Sequence, residues 1–246
     1  MQKQSADLQL HTSGALPYLL ARPRGPAGAA GHPVLCFLHG LDEGAPLEIR
    51  EALTRHGPLS PGARGGVASE FIVVAPQMPA RGDLWHRHAD EVRALMKTVA
   101  ADPGCDRSQT FLTGFSFGAN GVFDVAFDDP GFWTALWAVD PTRVPSDDPR
   151  VPVWLSAGKL TRRYEGDFIR QLRLEPLKEQ PPGDRVYLDE GMDHVRTATS
   201  AYADDRAYRW LLSRSGAMPE RGSASSRRTA PGSRPSRIER GIDDRA

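Results

Sequence analysis

The sequence has little of what marks several large classes of protein. Its 246 residues carry no surplus of either charge, with 31 Lys and Arg against 31 Asp and Glu. That balance argues against a general binder of nucleic acid or of membrane surfaces, both of which attract an excess of basic side chains. No run of about 20 apolar residues is present, so no transmembrane helix is expected. The opening segment Met1–Leu10 lacks an apolar stretch and carries Asp7, and it predicts no secretory leader. Cysteine is scarce. Cys36 sits in an apolar run, Cys105 follows Pro103-Gly104, and the pair has no metal-ligand spacing. A reducing, cytoplasmic setting is the expectation. No Gly-x-Gly-x-x-Gly opens a helix after a strand and no phosphate-binding loop occurs, so neither cofactor nor metal is expected. There is no internal repeat, and nothing in the pattern encodes an oligomeric state.

What is present is a globular composition, 39% hydrophobic and 25% charged, of a length suited to one well-buried core. The core is expected to span residues 1–213. From 214 to 246 the apolar periodicity stops and Arg, Ser, Pro and Gly dominate; this mildly basic tail reads as disordered, because it cannot bury enough apolar surface to offset the entropy of ordering it.

Within the core, short apolar runs recur at Val34–Leu38, Phe71–Ala75, Thr110–Thr113, Ala135–Val139, Val151–Leu155 and Arg185–Leu188. Runs without alternation suit strands covered on both faces, as in a parallel sheet. Helical spacing appears at Asp90–Ala100, Phe117–Phe127 and Tyr202–Leu212, and Leu16–Ala21 predicts an antiparallel edge strand. Strand–helix–strand repetition predicts a mainly parallel α/β sheet with flanking helices. Reactive groups in such sheets gather at the carboxyl ends of strands.

Three signals lie at those ends. Gly114-Phe115-Ser116-Phe117-Gly118 follows one apolar run and opens a helix, the context in which Gly-x-Ser-x-Gly forms a nucleophile elbow. The glycines let strand and helix approach without a Cβ clash, and the helix N-terminus offers free N–H groups and partial positive charge. Ser116 is the candidate nucleophile. His39-Gly40 follows the first run; the loop there is a source of an oxyanion donor, the N–H of Leu41 or alternatively of Asp42, to partner the N–H of Phe117. His39 itself reads as a loop-shaping residue. His194 lies after the last strand and is the one histidine of seven that follows Ser116; it is the candidate general base. His86 and His88, two apart, share no helix face and read as loop polarity. Of Trp85, Phe115, Phe117, Trp133 and Trp154, most read as core, with any remainder available to line a cleft.

Together these pieces resemble the predicted-peptidase and dienelactone-hydrolase-like esterase group of the α/β-hydrolases, near feruloyl esterases and polyhydroxyalkanoate depolymerases. The resemblance rests on Phe37-Leu38-His39-Gly40, His56-Gly57-Pro58, Phe71 to Gln77 with Trp85, Asp106-Arg107, Gly114 to Gly121, Asp193-His194 and Tyr208 to Leu212. It covers most of residues 33–212. It implies the α/β-hydrolase fold, a Ser–acid–His triad, and hydrolysis of an ester or, second, an amide. Dienelactone hydrolases proper use cysteine, so Ser116 favours the esterase side. The acid departs from the pattern. The resemblance puts it three residues after Gly158, where Thr161 stands and can hold no charge. Asp140 at the end of the preceding strand, Glu165 or Asp167 from the next loop, or no acid at all remain open.

The expected function is therefore a serine carboxylesterase acting on a small or medium acyl ester, with a small-molecule partner and neither nucleic acid nor membrane. A non-catalytic binding protein of the same fold and a serine peptidase are the alternatives. The interval from Trp137 to Val151 is too short for a helical cap, which predicts little or no lid.

Overall fold

A computed structural model describes residues 8–63, 65–177 and 183–214; the Arg/Ser/Pro/Gly-rich segment from 215 onward lies outside the described residues. The strands are β1 (Leu8–His11), β2 (Tyr18–Ala21), β3 (His32–Leu38), β4 (Ile72–Pro76), β5 (Cys105–Phe115), β6 (Ala135–Val139), β7 (Val153–Ala157), β8 (Glu175–Pro176) and β9 (Arg185–Asp189). The helices are α1 (Ile49–Arg55), α2 (Ala89–Ala100), α3 (Phe117–Asp128), α4 (Glu165–Leu172), α5 (His194–Ala203) and α6 (Asp205–Leu212). The sheet runs β1-β2-β4-β3-β5-β6-β7-β9-β8, with β2 antiparallel to both β1 and β4 and all other pairings parallel.

The apolar runs lack alternation because each strand feeds two cores. In β3, Val34, Cys36 and Leu38 join the core under α2, α3 and α4, while Leu35 and Phe37 join the core under α1, α5 and α6. β6 divides the same way, Leu136 and Ala138 to one face and Ala135, Trp137 and Val139 to the other. Trp137, Trp154, Tyr202 and Tyr208 are fully buried in the second core, each removing enough apolar surface from water to contribute roughly 2–3 kcal/mol.

Helix α2 forms where Val92, Met96 and Val99 recur on one buried face, with Asp90 and Glu91 at its positive end and Lys97 at its negative end. The apolar segment Tyr202–Leu212 is not one helix. It is split at Asp204, whose backbone is extended and whose carboxylate accepts the Arg206 N–H at 2.8 Å, stopping α5 and capping α6. The strand predicted over Leu16–Ala21 is antiparallel as expected but is not the edge, because β1 pairs outside it. Helices α1 and α4 and strands β1 and β8 carry too short or too polar a pattern to be read beforehand. No helix lies between Val139 and Val153.

Candidate active site

The carboxyl ends of β3, β5, β6, β7 and β9 meet along one edge of the sheet. Strand β5 ends at Phe115, α3 begins at Phe117, and Ser116 between them has φ 58°, ψ −117°, an uncommon conformation for a side-chain-bearing residue. Its N–H donates to the Val139 carbonyl at 3.0 Å, extending the β5–β6 ladder, so the turn is held from the sheet. The flanking glycines are sterically required. A Cβ on Gly118 would lie 1.9 Å from the Leu38 carbonyl oxygen, and one on Gly114 would lie 2.4 Å from that of Gly118.

His194 opens α5. Asp193 caps that helix, accepting the Arg196 N–H at 2.9 Å, and so sets the ring at the helix's first position. The preceding loop is tied to β7 through Arg162, which donates to the carbonyls of Gly158 and Met192. The His194 ring packs on Phe115, centroids 4.6 Å apart. Its Nε2 lies 2.9 Å from Ser116 Oγ and its Nδ1 lies 2.7 Å from Asp140 Oδ2.

Of the acids considered, Asp140 is therefore the one beside His194. Glu165 and Asp167 begin α4, where Asp167 pairs with Arg170. Asp140 is fully buried, at φ 43°, just past the end of β6. Its Oδ1 accepts from the N–H groups of Gly158 (3.0 Å) and Thr161 (2.8 Å) and from Thr161 Oγ1 (2.8 Å). Burial pushes this carboxyl up, but the hydrogen bonds from His194 and Thr161 outweigh it and hold the pKa below the usual aspartate value. Thr161, at the position where the acid was sought, instead anchors Asp140. Gly158 permits the approach: a Cβ there would lie 2.7 Å from Asp140 Oδ2. On the other side, Asn120 of α3 accepts from Thr142 N and Arg143 N, pinning the chain just after Asp140.

His39 is buried, and the Met78 N–H donates to its Nε2 at 3.0 Å. Nδ1 therefore carries the proton and donates to the Gly40 carbonyl at 2.7 Å. Burial lowers its pKa to about 4, so it remains neutral and shapes the loop, as expected. Leu41 begins a helical turn (Leu41–Glu43) and Phe117 begins α3, so the N–H of each has no acceptor within its own helix. A Cβ on Gly40 would lie 3.6 Å from Ser116 Cβ, which puts the Leu41 loop against the serine. Trp85, Trp133 and Trp154 are core; Phe117 is half-buried. His86 and His88 lie in the turn before α2, where His88 pairs with Asp83 at 2.9 Å. Among the described residues, no group of three or more His, Cys, Asp or Glu side chains could hold a metal ion.

No family profile and no curated protein matches the sequence. Solved structures do match. A thermostable esterase aligns with a TM-score of 0.65 at 17% identity, over 85% of this chain and 63% of its own, so the chain spans less than two thirds of that enzyme. An S-formylglutathione hydrolase from Agrobacterium tumefaciens aligns with a TM-score of 0.57 at 14% identity, over 84% of this chain and 94% of its own. Porphyromonas gingivalis dipeptidyl peptidase 4 aligns with a TM-score of 0.54 at 13% identity, over 86% of this chain and 36% of its own. The chain has the α/β-hydrolase fold. On this fold the serine, histidine and aspartate come from the ends of three different strands or loops, and their chain order is Ser116, Asp140, His194. Such an arrangement can move a proton from a hydroxyl to an imidazole while a carboxylate balances the charge formed.

Proposed function

We propose that the protein is a serine hydrolase that cleaves carboxylic esters with small to medium apolar acyl groups through an acyl-enzyme. The observation that carries this reading is the continuous line Ser116 Oγ–His194 Nε2 at 2.9 Å and His194 Nδ1–Asp140 Oδ2 at 2.7 Å. Ser116 Oγ attacks the carbonyl carbon as its proton passes to Nε2. Asp140 accepts the Nδ1 hydrogen bond and balances the imidazolium. The N–H groups of Leu41 and Phe117 receive the oxyanion. Nε2 returns the proton to the departing alcohol, water then attacks the acyl-enzyme with the same base, and the carboxylic acid leaves.

The apolar preference is supported by the rim. Leu41, Leu84, Tyr164 and Met192 are exposed in the connections that follow β3, β4, β7 and β9, and Val195 is exposed in the first turn of α5, next to His194. The absence of a helix between β6 and β7 supports an open cleft. Cys36 and Cys105 are free and buried, which suits a cytoplasmic setting.

Hydrolysis of p-nitrophenyl acetate and butyrate by the full chain is the test. Ser116→Ala should remove turnover and labelling by a fluorophosphonate. Asp140→Asn should lower kcat by about 10²- to 10⁴-fold with little change in KM, because the imidazole loses its partner and its tautomer. Wild-type activity no higher than that of Ser116→Ala, with no labelling, would point to a binding protein. Faster cleavage of a peptide than of the matching ester would point to a peptidase.

A further inference from the structure

The segment His56-Gly57-Pro58 has no part in the proton relay, yet it is fixed in place beside it. Gly57 has φ 80°, and a Cβ on it would lie 2.3 Å from the Phe37 ring. The His56 ring meets Phe115 edge-on at 5.1 Å, and Phe115 lies against His194. His56 Nε2 is 3.5 Å from Oε1 of Glu43, a carboxyl only 4% exposed. A buried carboxyl is costly unless its hydrogen bonds are used, and Glu43 Oε2 accepts the Gly40 N–H at 2.6 Å.

That bond completes a set. The peptide between His39 and Gly40 is held at both ends, its carbonyl by Trp85 Nε1 at 3.0 Å and its N–H by Glu43. The carbonyl of the next peptide is held by His39 Nδ1. A trans peptide points its N–H opposite to its carbonyl, so these three anchors fix the direction of the Leu41 N–H. The Gly40 N–H, already bound to Glu43, is not free to serve an oxyanion. Glu43 and the nucleophile flank the same glycine: a Cβ on Gly40 would lie 3.0 Å from Glu43 Oε2 and 3.6 Å from Ser116 Cβ.

We propose that Glu43, backed by His56, is a positioning residue that aims the Leu41 N–H at the oxyanion by holding the N–H of Gly40. This rests on the serine-hydrolase reading above. Burial raises the Glu43 pKa and lowers that of His56, and both shifts favour an uncharged pair. Glutamine has the same reach as glutamate and keeps an oxygen that accepts the Gly40 N–H, so it should replace Glu43.

The experiment is steady-state hydrolysis of p-nitrophenyl butyrate by wild type, Glu43→Gln, Glu43→Ala and Glu43→Asp, with circular dichroism and melting curves for each. A misaimed donor costs transition-state binding rather than substrate binding, so Glu43→Ala should lose about 10- to 100-fold in kcat with KM within about threefold. Glu43→Gln should stay near wild type in both. If Glu43→Ala fails to fold, Glu43→Asp, too short to reach Gly40, should show the same kcat loss. Full kcat in a folded Ala or Asp variant overturns the proposal. So does a Gln variant as slow as Ala, which would mean that charge, not the hydrogen bond, matters. A wild type that neither turns over ester nor reacts with the fluorophosphonate defeats the hydrolase reading and this inference with it; an active wild type with unaffected variants defeats this inference alone.

Discussion

Asp140 accepts from the Gly158 and Thr161 N–H groups on Oδ1 and from the Leu160 N–H, at 3.4 Å, and His194 on Oδ2, so the loop after β7 grips both oxygens while Oδ2 also faces the imidazole. His39 shows the opposite use of burial. Held neutral by its surroundings, with a pKa of about 4, it takes up no second proton in the folded chain where an unfolded histidine, near 6.5, would. The unfolded state therefore takes up the extra proton as pH falls, and folding stability is lost between about pH 6.5 and 4, by on the order of 3 kcal/mol. Glutamine can still accept the Met78 N–H but does not titrate. Chemical denaturation of wild type and His39→Gln across this range should show a shallower decline in the variant; parallel curves would remove His39 as the source.

At the level of elements, the joint between β5 and α3 leaves no room for a side chain on its flanking glycines. Gly118 lies so close to the end of β3 that a side chain has no room beside the Leu38 carbonyl. Because the obstacle is backbone of a central strand, it cannot swing aside. Gly118→Ala should cost about 3 kcal/mol or more, at the upper end for overpacking, and thermal melting measures it. Gly131, by contrast, meets nothing within 4 Å in the place a Cβ would take, and an alanine there serves as the control. The α5–α6 break has a related logic: a capping carboxylate at Asp204 ends one helix and starts another, which lets α5 deliver His194 to the site while α6 closes the second core.

For the molecule as a whole, the segment between Val139 and Val153 holds no helix and β9 runs into α5 after a short turn, so neither segment offers a helical lid. Rates on a short-chain ester should then rise hyperbolically with concentration and pass through the solubility limit without a step. A sharp increase at that limit, seen in initial-rate measurements, would mean that some segment closes over the site in water.

Features that depend on neighbours along the chain were legible before any fold was known. Continuous apolar runs announced strands covered on both faces, and a glycine-flanked serine between strand and helix announced the elbow, since its strain and clearances are local. A single late histidine was likewise legible. The pairing of Asp140 with His194 was not legible along the chain. Asp140 and His194 are 54 residues apart, and they meet because β6 lies beside β7 and β7 beside β9. Glu43 was hidden for the same reason: nothing along the chain signals that folding will bury it against His56 with its carboxyl on the Gly40 N–H. Pattern along the chain reports which faces are covered; the identity of the covering side chain, and hence the charge and hydrogen bonds it brings, is fixed by the order of strands in the sheet.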